Sequence, residues 1–580
     1  MINYICENCN DTICETSVCP ICGERTYVNK SEIYWCEECN TPTFDTTCKR
    51  CENKCYRIGT DLRPVFPEER LLIEILLDEP MKYRNSSVWK SSGSIYYVDG
   101  KKLRLSFKEL MKKNPEEVIL KLKEYEEENR IYVDNFYQSP VITNFIESNR
   151  IRFNYIESEA IDYIRKISEK FNLENMFVSF SGGKDSTVTS SLVMSALGTE
   201  EVVHIFGDTT LEYPETYKYV ERFKSIYNTP MISGKNEDQE FKDLVDVVGP
   251  PSRVMRWCCT VFKAGAINNE LEMLYDSGSP VLSFQGIRRR ESTSRSKYKR
   301  DSQSPKIASQ TVSSPIIDWL DFDIWLYILT KGIDFNHAYK QGFSRVGCWC
   351  CPNNSGWSEY LSSIYMNDEY KKWKNQLYRF AEKVGKKDWK IYVDEGNWKS
   401  RQGGNGLSYS ENAVISFKPC AFEEKTYNFD LSRPINDYLY TLFKPFGTLD
   451  FAMGNKRLNE VYVKSKKTGE LLFRISGKKG GTLLKVSVLG TKGVFKNKKK
   501  IESYLRSQIT KFQTCIGCSA CANVCRFNAI TVKNLEPGTV SRDSILYEID
   551  ENKCVGCLEC VNHFDSGCYM KKVLRTKKGE

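Results

Sequence analysis

Twenty-four cysteines and only three histidines stand in this 580-residue chain, and their spacing limits what it can fold into before any periodicity is considered. Near one end lie the runs Cys515-x2-Cys518-x2-Cys521-x3-Cys525 and Cys554-x2-Cys557-x2-Cys560-x7-Cys568. Such spacing wraps thiolates around two [4Fe–4S] cubanes, with zinc as the alternative occupant. At the other end, Cys6-x2-Cys9 is followed by Cys19-x2-Cys22, and Cys36-x2-Cys39 by Cys48-x2-Cys51. A CxxC turn points two sulfurs at one ion, and a second turn completes a tetrahedron with Zn–S distances of about 2.3 Å. Two structural zinc ribbons, folding a segment too small to fold alone, are expected here. A rubredoxin-like iron centre is the other reading. Cys14 and Cys55 are left over and are not expected to be ligands. With so few histidines, any metal site must be built almost wholly from thiolate.

The length predicts several domains, and 41% hydrophobic content leaves material for separate cores. No run of eighteen uncharged apolar residues occurs, and Met1 to Cys6 lacks the basic-then-apolar start of a signal peptide. The chain is therefore expected in the cytoplasm, away from membranes, where a reducing environment argues against disulfides.

After the ribbons the cysteines stop. Ser94 to Lys102 reads as a strand entering an Asp99-Gly100 turn, and Lys108 to Arg130 as a charged amphipathic helix with a solvated face. Further on, the apolar strand pattern Met176–Phe180 runs straight into Ser181-Gly182-Gly183-Lys184-Asp185-Ser186, and Thr187 to Leu197 suits a helix. Strand, glycine loop and helix in that order place backbone N–H groups and a helix N-terminus around an anion, naturally a phosphate. Gly182 and Gly183 allow close approach, Ser181 and Ser186 offer hydroxyls, and Lys184 supplies a point charge. The spacing is not that of a Walker loop.

This loop resembles the PP-loop of ATP pyrophosphatases. The segments that follow resemble, in order over roughly residues 156 to 360, the phosphoadenylyl-sulfate (PAPS) and adenylyl-sulfate (APS) reductase family. They are Val202 to Thr209 with Tyr213-Pro214-Glu215-Thr216, Trp257-Cys258-Cys259-Thr260, Gly286-Ile287-Arg288-Arg289-Arg290-Glu291-Ser292, Pro315 to Trp319, and Gly342 to Cys351. The resemblance implies an open, mostly parallel sheet whose strand ends hold an adenine nucleotide, with Ser181 to Ser186, Asp208, Gly286 and Arg288 in one crevice. It also implies a third [4Fe–4S] cluster on Cys258, Cys259, Cys348 and Cys351. Adjacent cysteines can reach different irons of a cubane, whereas one tetrahedral zinc would strain them. A zinc site or buried free thiols are the alternatives, and Cys350 is an uncommitted extra.

Two departures from the family bear on the reaction. Reductases that accept APS usually carry a degenerate glycine loop, and here the loop is intact. Their Glu-Cys-Gly-Leu/Ile-His nucleophile motif does not occur, and Cys420 reads as an inert isolated thiol. The likeness is thus to the ATP-using branch, which includes PP-loop proteins of DNA phosphorothioation. The last seventy residues resemble a bacterial two-cluster ferredoxin, which implies Cys515, Cys518, Cys521 and Cys568 on one cluster and Cys554, Cys557, Cys560 and Cys525 on the other.

Between 403 and 510, alternating strand patterns at Val461–Val463, Leu471–Ile475 and Leu483–Val488 carry a crowd of lysines, among them Lys456, Lys464, Lys466, Lys467, Lys478, Lys479, Lys485, Lys492, Lys496 and Lys498–Lys500, with Arg457. Such a patch suits DNA or RNA, or else serves as a solubilising face or a dock for an acidic redox partner.

The fold expected is multidomain α/β: tandem zinc ribbons over 1–58, a small α/β domain over 59–155, a PP-loop domain with a parallel sheet and flanking helices over 156–402, a basic β-rich domain over 403–510 and a ferredoxin-like domain over 511–580. The activity expected is cleavage of ATP to AMP and pyrophosphate, with Lys184, Asp185, Asp208 and Arg288 catalytic and magnesium as the nucleotide's metal, coupled to redox-linked sulfur transfer. A sulfonucleotide reductase releasing sulfite and a non-catalytic iron–sulfur scaffold are the alternatives. A sulfur donor such as a cysteine desulfurase and an electron donor are the implied partners. A full metal complement would be about twelve irons and two zincs.

Overall fold

The computed structural model describes residues 4–6, 12–14, 20–21, 27–28, 32–237, 239–275, 280–292, 295–303, 310–401, 416–490, 498–517, 519–536, 544–564 and 568. Cys9, Cys19, Cys22, Cys518, Lys492 and Lys496 lie outside them. Cys6 is described only as backbone, in the strand Tyr4–Cys6 that pairs antiparallel with Thr12–Cys14.

The architecture is multidomain α/β, organised around one six-stranded sheet. Its strands are β1 (Met176–Phe180), β2 (Val203–Asp208), β3 (Met231–Lys235), β4 (Val281–Gln285), β5 (Asp301–Gln303) and β6 (Gln310–Ser313). Their order is β3-β2-β1-β4-β6-β5, parallel throughout except for the antiparallel edge strand β5. β1 and β4 are buried almost throughout, as strands covered on both faces must be. The chain builds outward from β1 through β2 to β3, then returns to add β4 on the other side. The strand order therefore reverses between β1 and β4, and ligands of open α/β sheets bind at the strand C-terminal ends at such a point. Two helices follow the first two strands, α1 (Lys184–Leu197) and α2 (Pro214–Tyr227). α3 (Asp321–Lys331) packs its apolar face into the same core.

That core does not stop at the central sheet and its helices. Ile33 and Trp35 of the second ribbon, Leu62, Phe66 and Trp89 of the small domain, and Val178, Leu192 and Trp325 of the sheet and its helices belong to one buried cluster. The helix Arg150–Ser168 runs unbroken across the boundary expected at 155/156. Arg152 on it forks onto Asp323 of α3 at 2.9 and 2.8 Å and lies 4.1 Å over the Phe44 ring. The second ribbon, the small domain and the central sheet are thus one packed body.

The small domain contains the antiparallel sheet Arg63–Pro64, Val88–Lys90, Ile95–Val98 and Lys101–Arg104. Its hairpin turns at Asp99 and Gly100, both with positive φ, as an Asp-Gly two-residue turn requires. The single helix expected from Lys108 to Arg130 is instead three, Phe107–Leu110, Pro115–Glu124 and Glu126–Phe136. Pro115 cannot continue a helix but starts one well, and Asn114 caps the new start by accepting from Glu116 N at 3.0 Å.

Residues 416–490 form a second six-stranded sheet, wholly antiparallel, whose apolar face meets α4 (Lys498–Thr514). The terminal module adds a two-stranded ribbon, Ile530–Asn534 with Ile545–Ile549. Leu472, Ile475, Leu505, Tyr547 and Cys560 share one core, so sheet, α4 and module are also a single body. Among the described residues, no helix is long and apolar enough to cross a membrane.

Candidate functional site

The glycine loop sits where the topology places a ligand. Gly182 has φ +66°, and a Cβ there would lie 2.7 Å from Thr216 Cγ2, so glycine is required on two counts. Ser186 Oγ donates to Gly183 O at 2.8 Å and accepts from Ser181 N and Ser181 Oγ, both at 3.2 Å. Tyr339 Oη accepts from Lys184 N at 3.1 Å, and Asn336 Nδ2 donates to Gly182 O at 2.9 Å. These bonds hold the loop open. Across the crevice, Gly286 follows β4 so closely that a Cβ would meet Asp185 C at 2.6 Å.

The charges form a closed network. Lys184 Nζ is 3.1 Å from Asp185 Oδ2 and 3.3 Å from Asp321 Oδ1. Arg288 completes the ring, its Nε 2.6 Å from Asp185 Oδ1 and its Nη2 2.7 Å from Asp321 Oδ1. Lys184 and Arg288 are 4% and 5% exposed, so neither is a free surface cation. Against burial, which would raise it, Lys184 and Arg288 hold Asp321 down at about 2. Behind it, Asp61 accepts from the amides of Asp321 at 3.1 Å and Phe322 at 3.0 Å at the start of α3. Burial, reinforced by Asp321, pushes Asp61 up to about 7. Two cations facing two or three carboxylates can take a polyphosphate with its cation, or exchange the acids for phosphate oxygens.

The structure thus joins Ser181, Gly182, Gly183, Lys184, Asp185, Ser186, Gly286 and Arg288. Asp208 is placed differently. Its Oδ1 accepts from Tyr217 Oη at 2.8 Å and Thr210 N at 2.7 Å at the end of β2, one strand away from the charge network. Asp61, Asp321, Tyr339 and Asn336 were not legible as site residues. Asp321 stood two positions beyond a recognised motif, and the motif's own acid, Asp318, pairs with Arg289 instead.

From Asp208 the loop leads to the central cysteines. Thr209 Oγ1 is 3.4 Å from Cys348 Sγ, Glu212 bridges to Cys348, and Trp349 N donates to Leu211 O at 2.9 Å. Cys258 caps a π-helical turn, Cys259–Ala264, a rare local widening found mostly at functional positions. Cys259 raises the Cys258 thiol and burial raises it further, while burial and the Glu212 carboxylate raise Cys348. Cys258, Cys348, Cys350 and Trp349 share an apolar pocket with Trp257 and Phe262.

The metal sites divide by geometry. Cys36, Cys39, Cys48 and Cys51 bring their sulfurs within 4.8 Å of one another, Cys36 to Cys51 at 3.4 Å and Cys39 to Cys48 at 3.8 Å. Sulfurs on one tetrahedral ion are about 3.8 Å apart, so these four fit a single ion, and Cys55 stays outside the set. Among the described residues no other three potential ligands crowd so closely. The central cysteines and the described terminal ones form no such group.

At the terminus, one cavity is lined by Cys525, Cys554, Cys557 and Cys560 together with Pro445, Ile530, Ile549 and Leu558. That is the crossed ligand set expected of a two-cluster ferredoxin. Of the other described terminal cysteines, Cys515 lies against the buried Tyr438 hydroxyl, Cys521 shares a core with Cys560, and Cys568 packs with Trp257 and Cys350. Ile516, Phe564 and Cys568 belong to the same apolar core as Trp257 and Cys350, and Gln239 Nε2 donates to Ile516 O at 2.7 Å. The module is therefore docked against the central cysteines.

Four lysines of the basic stripe are engaged within the fold. Lys464 pairs with Asp450, Arg474 and Lys485 with Glu423, and Lys479 with Asp437. Lys466 donates to the carbonyls of Glu551 and Cys554, both at 2.8 Å, fastening the sheet to the module.

Comparison with known proteins agrees with this layout. The phosphoadenosine phosphosulfate reductase domain model matches residues 175–354, and a 4Fe-4S dicluster domain model matches 514–563. An uncharacterised protein of Methanocaldococcus jannaschii is 36% identical over 230 residues, 40% of this chain and 46% of that protein. A second from the same organism is 32% identical over 245 residues, 41% of this chain and 57% of its own length. The chain thus spans about half the length of these relatives. The adenosine 5'-phosphosulfate reductase of Shouchella clausii is 25% identical over 201 residues, 33% of this chain and 77% of that enzyme. The phosphoadenylyl-sulfate reductase of Candida auris, solved as a phosphate complex, covers 33% of this chain and 95% of its own at 15% identity and a TM-score of 0.25.

Proposed function

We propose that this protein binds ATP in the crevice between β1 and β4, cleaves it between the α and β phosphates to activate an acceptor, and couples that step to redox-linked sulfur transfer. The observation that carries the reading is the loop Thr209–Glu212. It leaves β2 beside the glycine loop and touches Cys348 at both its first residue, Thr209, and its last, Glu212, so nucleotide chemistry and cysteine chemistry share one strand end.

In the first step an acceptor oxygen attacks the α-phosphate. The new O–P bond forms as the α–β anhydride breaks, and pyrophosphate leaves with the electron pair. Ser181, Ser186 and the Gly182 and Gly183 amides, which no hydrogen bond engages among the described residues, would orient the phosphates. Lys184 and Arg288 offset the developing charge, already fixed in place by Asp185 and Asp321. Asp185 and Asp321 would hold the nucleotide's magnesium. Asp208, pinned by Tyr217, orients the loop that separates the nucleotide from the cysteines. A [4Fe–4S] cluster on Cys258, Cys259, Cys348 and Cys351 supplies one-electron chemistry when bound. The four sulfurs at Cys36 to Cys51 suit a structural zinc.

The acceptor class we infer is nucleic acid, on the strength of Lys456, Arg457, Lys467 and Lys478, which no ion pair engages among the described residues. A second reading, release of sulfite from a sulfonucleotide, is supported by the adenosine 5'-phosphosulfate reductases among the relatives. One anaerobic experiment separates them. Holoprotein is given ATP, PAPS or APS, with and without DNA or RNA, and pyrophosphate and sulfite are measured. Pyrophosphate from ATP, lost in Lys184→Ala with iron content intact, is the expected result. Sulfite from PAPS or APS without ATP turnover would establish the second reading instead.

A further inference from the structure

We propose that Lys511 orders the two terminal clusters, making the one held by Cys515, Cys521 and Cys568 the electron-holding member of the pair. The proposal rests on reading the terminal cysteines as cluster ligands. α4 leads directly into the first cysteine run and turns Lys511 inward, where it is 1% exposed. Its Nζ donates to Cys521 Sγ at 3.1 Å and to Tyr547 Oη at 2.6 Å, and lies 4.1 Å from the centroid of the Tyr547 ring.

Among the described residues, Lys511 has neither an acid nor a carbonyl as partner. Other deeply buried cations meet carboxylates, as Arg63 meets Glu69, Arg152 meets Asp323, and Lys184 and Arg288 meet Asp185 and Asp321, or backbone carbonyls, as Arg70 and Arg401 do. Among the described residues no carboxylate stands within 4.0 Å of Lys511. A buried charge left unpaired is strongly destabilising. The groups that face this ammonium are the neutral hydroxyls of Tyr547 and Tyr438 and three thiols, Cys521 in contact and Cys560 and Cys515 nearby. Its counter-charge is therefore the cluster itself.

A cluster gains one negative charge on reduction. A fixed positive charge and a hydrogen bond at a ligand sulfur favour the reduced form and raise the potential. Contact is with Cys521, so the effect falls mainly on the inner cluster and more weakly on the outer one through Cys560. In the transfer the outer cluster is oxidised and the inner one reduced by one electron, with no bond made or broken. The outer cluster draws on an external low-potential one-electron carrier through Cys557, which is exposed. Of the inner cluster's ligands, Cys568 shares a core with Trp257 and Cys350, so the electron comes to rest on the side of the module that faces the central cysteines.

The test is an EPR-monitored redox titration of anaerobic, full-length holoprotein. Lys511→Met is expected to move the equilibrium between the two clusters about tenfold toward the outer one, 59 mV for a one-electron step. Lys511→Arg, which keeps the charge, is expected to preserve the order. Unchanged separation in Lys511→Met at full iron content overturns the proposal, as does an equal shift of both clusters. Should Lys511→Met fail to take up iron, wild-type protein labelled with ¹⁵N-lysine decides. Pulsed EPR is expected to show nitrogen coupling to the reduced inner cluster, and no coupling overturns the assignment. Terminal cysteines filled with zinc, giving no reduced-cluster signal, would overturn the underlying reading, a result distinct from two intact clusters indifferent to Lys511.

Discussion

Gly286→Ala is the sharpest perturbation of the nucleotide crevice. The added Cβ would lie 2.6 Å from Asp185 C, 2.7 Å from Asp185 O and 2.8 Å from Ser186 N, where ordinary contacts start at 3.4 Å. All three neighbours are backbone at the start of α1, so no side chain can swing aside. β4 and α1 must separate by about 0.8 Å, an overpacking that costs about 1–3 kcal/mol. The displacement falls on the bond between Arg288 Nε and Asp185 Oδ1, now 2.6 Å, and opens it beyond hydrogen-bond length. A misplacement of about 1 Å at a reacting centre lowers turnover about 10²-fold. Gly356→Ala serves as control, because a Cβ there meets nothing closer than the flexible end of Met111 at 3.8 Å. Chemical denaturation, nucleotide-binding calorimetry and anaerobic pyrophosphate release are the measurements. Wild-type stability and wild-type nucleotide affinity in Gly286→Ala would refute the close approach of the two loops and the site built on it.

Two further outcomes follow from the same geometry. Asp61, pushed up to about 7 by burial and Asp321, binds a proton in the folded chain that the unfolded chain has released, so its contribution to stability falls as pH rises from about 4 to 7. Asp61→Asn is therefore expected to gain stability relative to wild type between pH of about 5.5 and 8 in denaturant titrations, and a relative loss would contradict the assignment. At the central cysteines, Cys351→Ser is expected to remove about four irons, whereas Cys350→Ser, altering a thiol packed in the apolar core beside Trp257, leaves the iron count unchanged. Loss of iron in Cys350→Ser alone would reassign the ligand.

Covalent spacing carries far in a sequence. Two close CxxC turns can reach one ion whatever the rest of the chain does, so Cys36 to Cys51 were legible in advance, whereas the crossed set Cys525, Cys554, Cys557 and Cys560 was implied only by the resemblance to a two-cluster ferredoxin. The strand, glycine loop and α1 were legible for the same reason, since their chemistry is local. Even there the helix began at Lys184, three residues earlier than its apolar pattern suggested, because Gly183 with its extended backbone is the cap.

Relations between distant segments were decided only in three dimensions. Asp61 reaches α3 across 260 positions, and Asp321 gathers Lys184 and Arg288 from two strands on either side of the chain reversal. No periodicity marks an acid that acts through its neighbours' charges. The basic stripe looked like a nucleic-acid face from composition, yet Lys464, Lys479 and Lys485 meet acids of the same fold and Lys466 meets backbone carbonyls of the terminal module. Lys511 was one lysine among many until folding removed its water and left it only sulfur for a counter-charge. Sequence fixes which groups can bind metal, because that depends on short chain closures. Burial fixes what a charge must do, because the energy of an ion depends on everything that surrounds it.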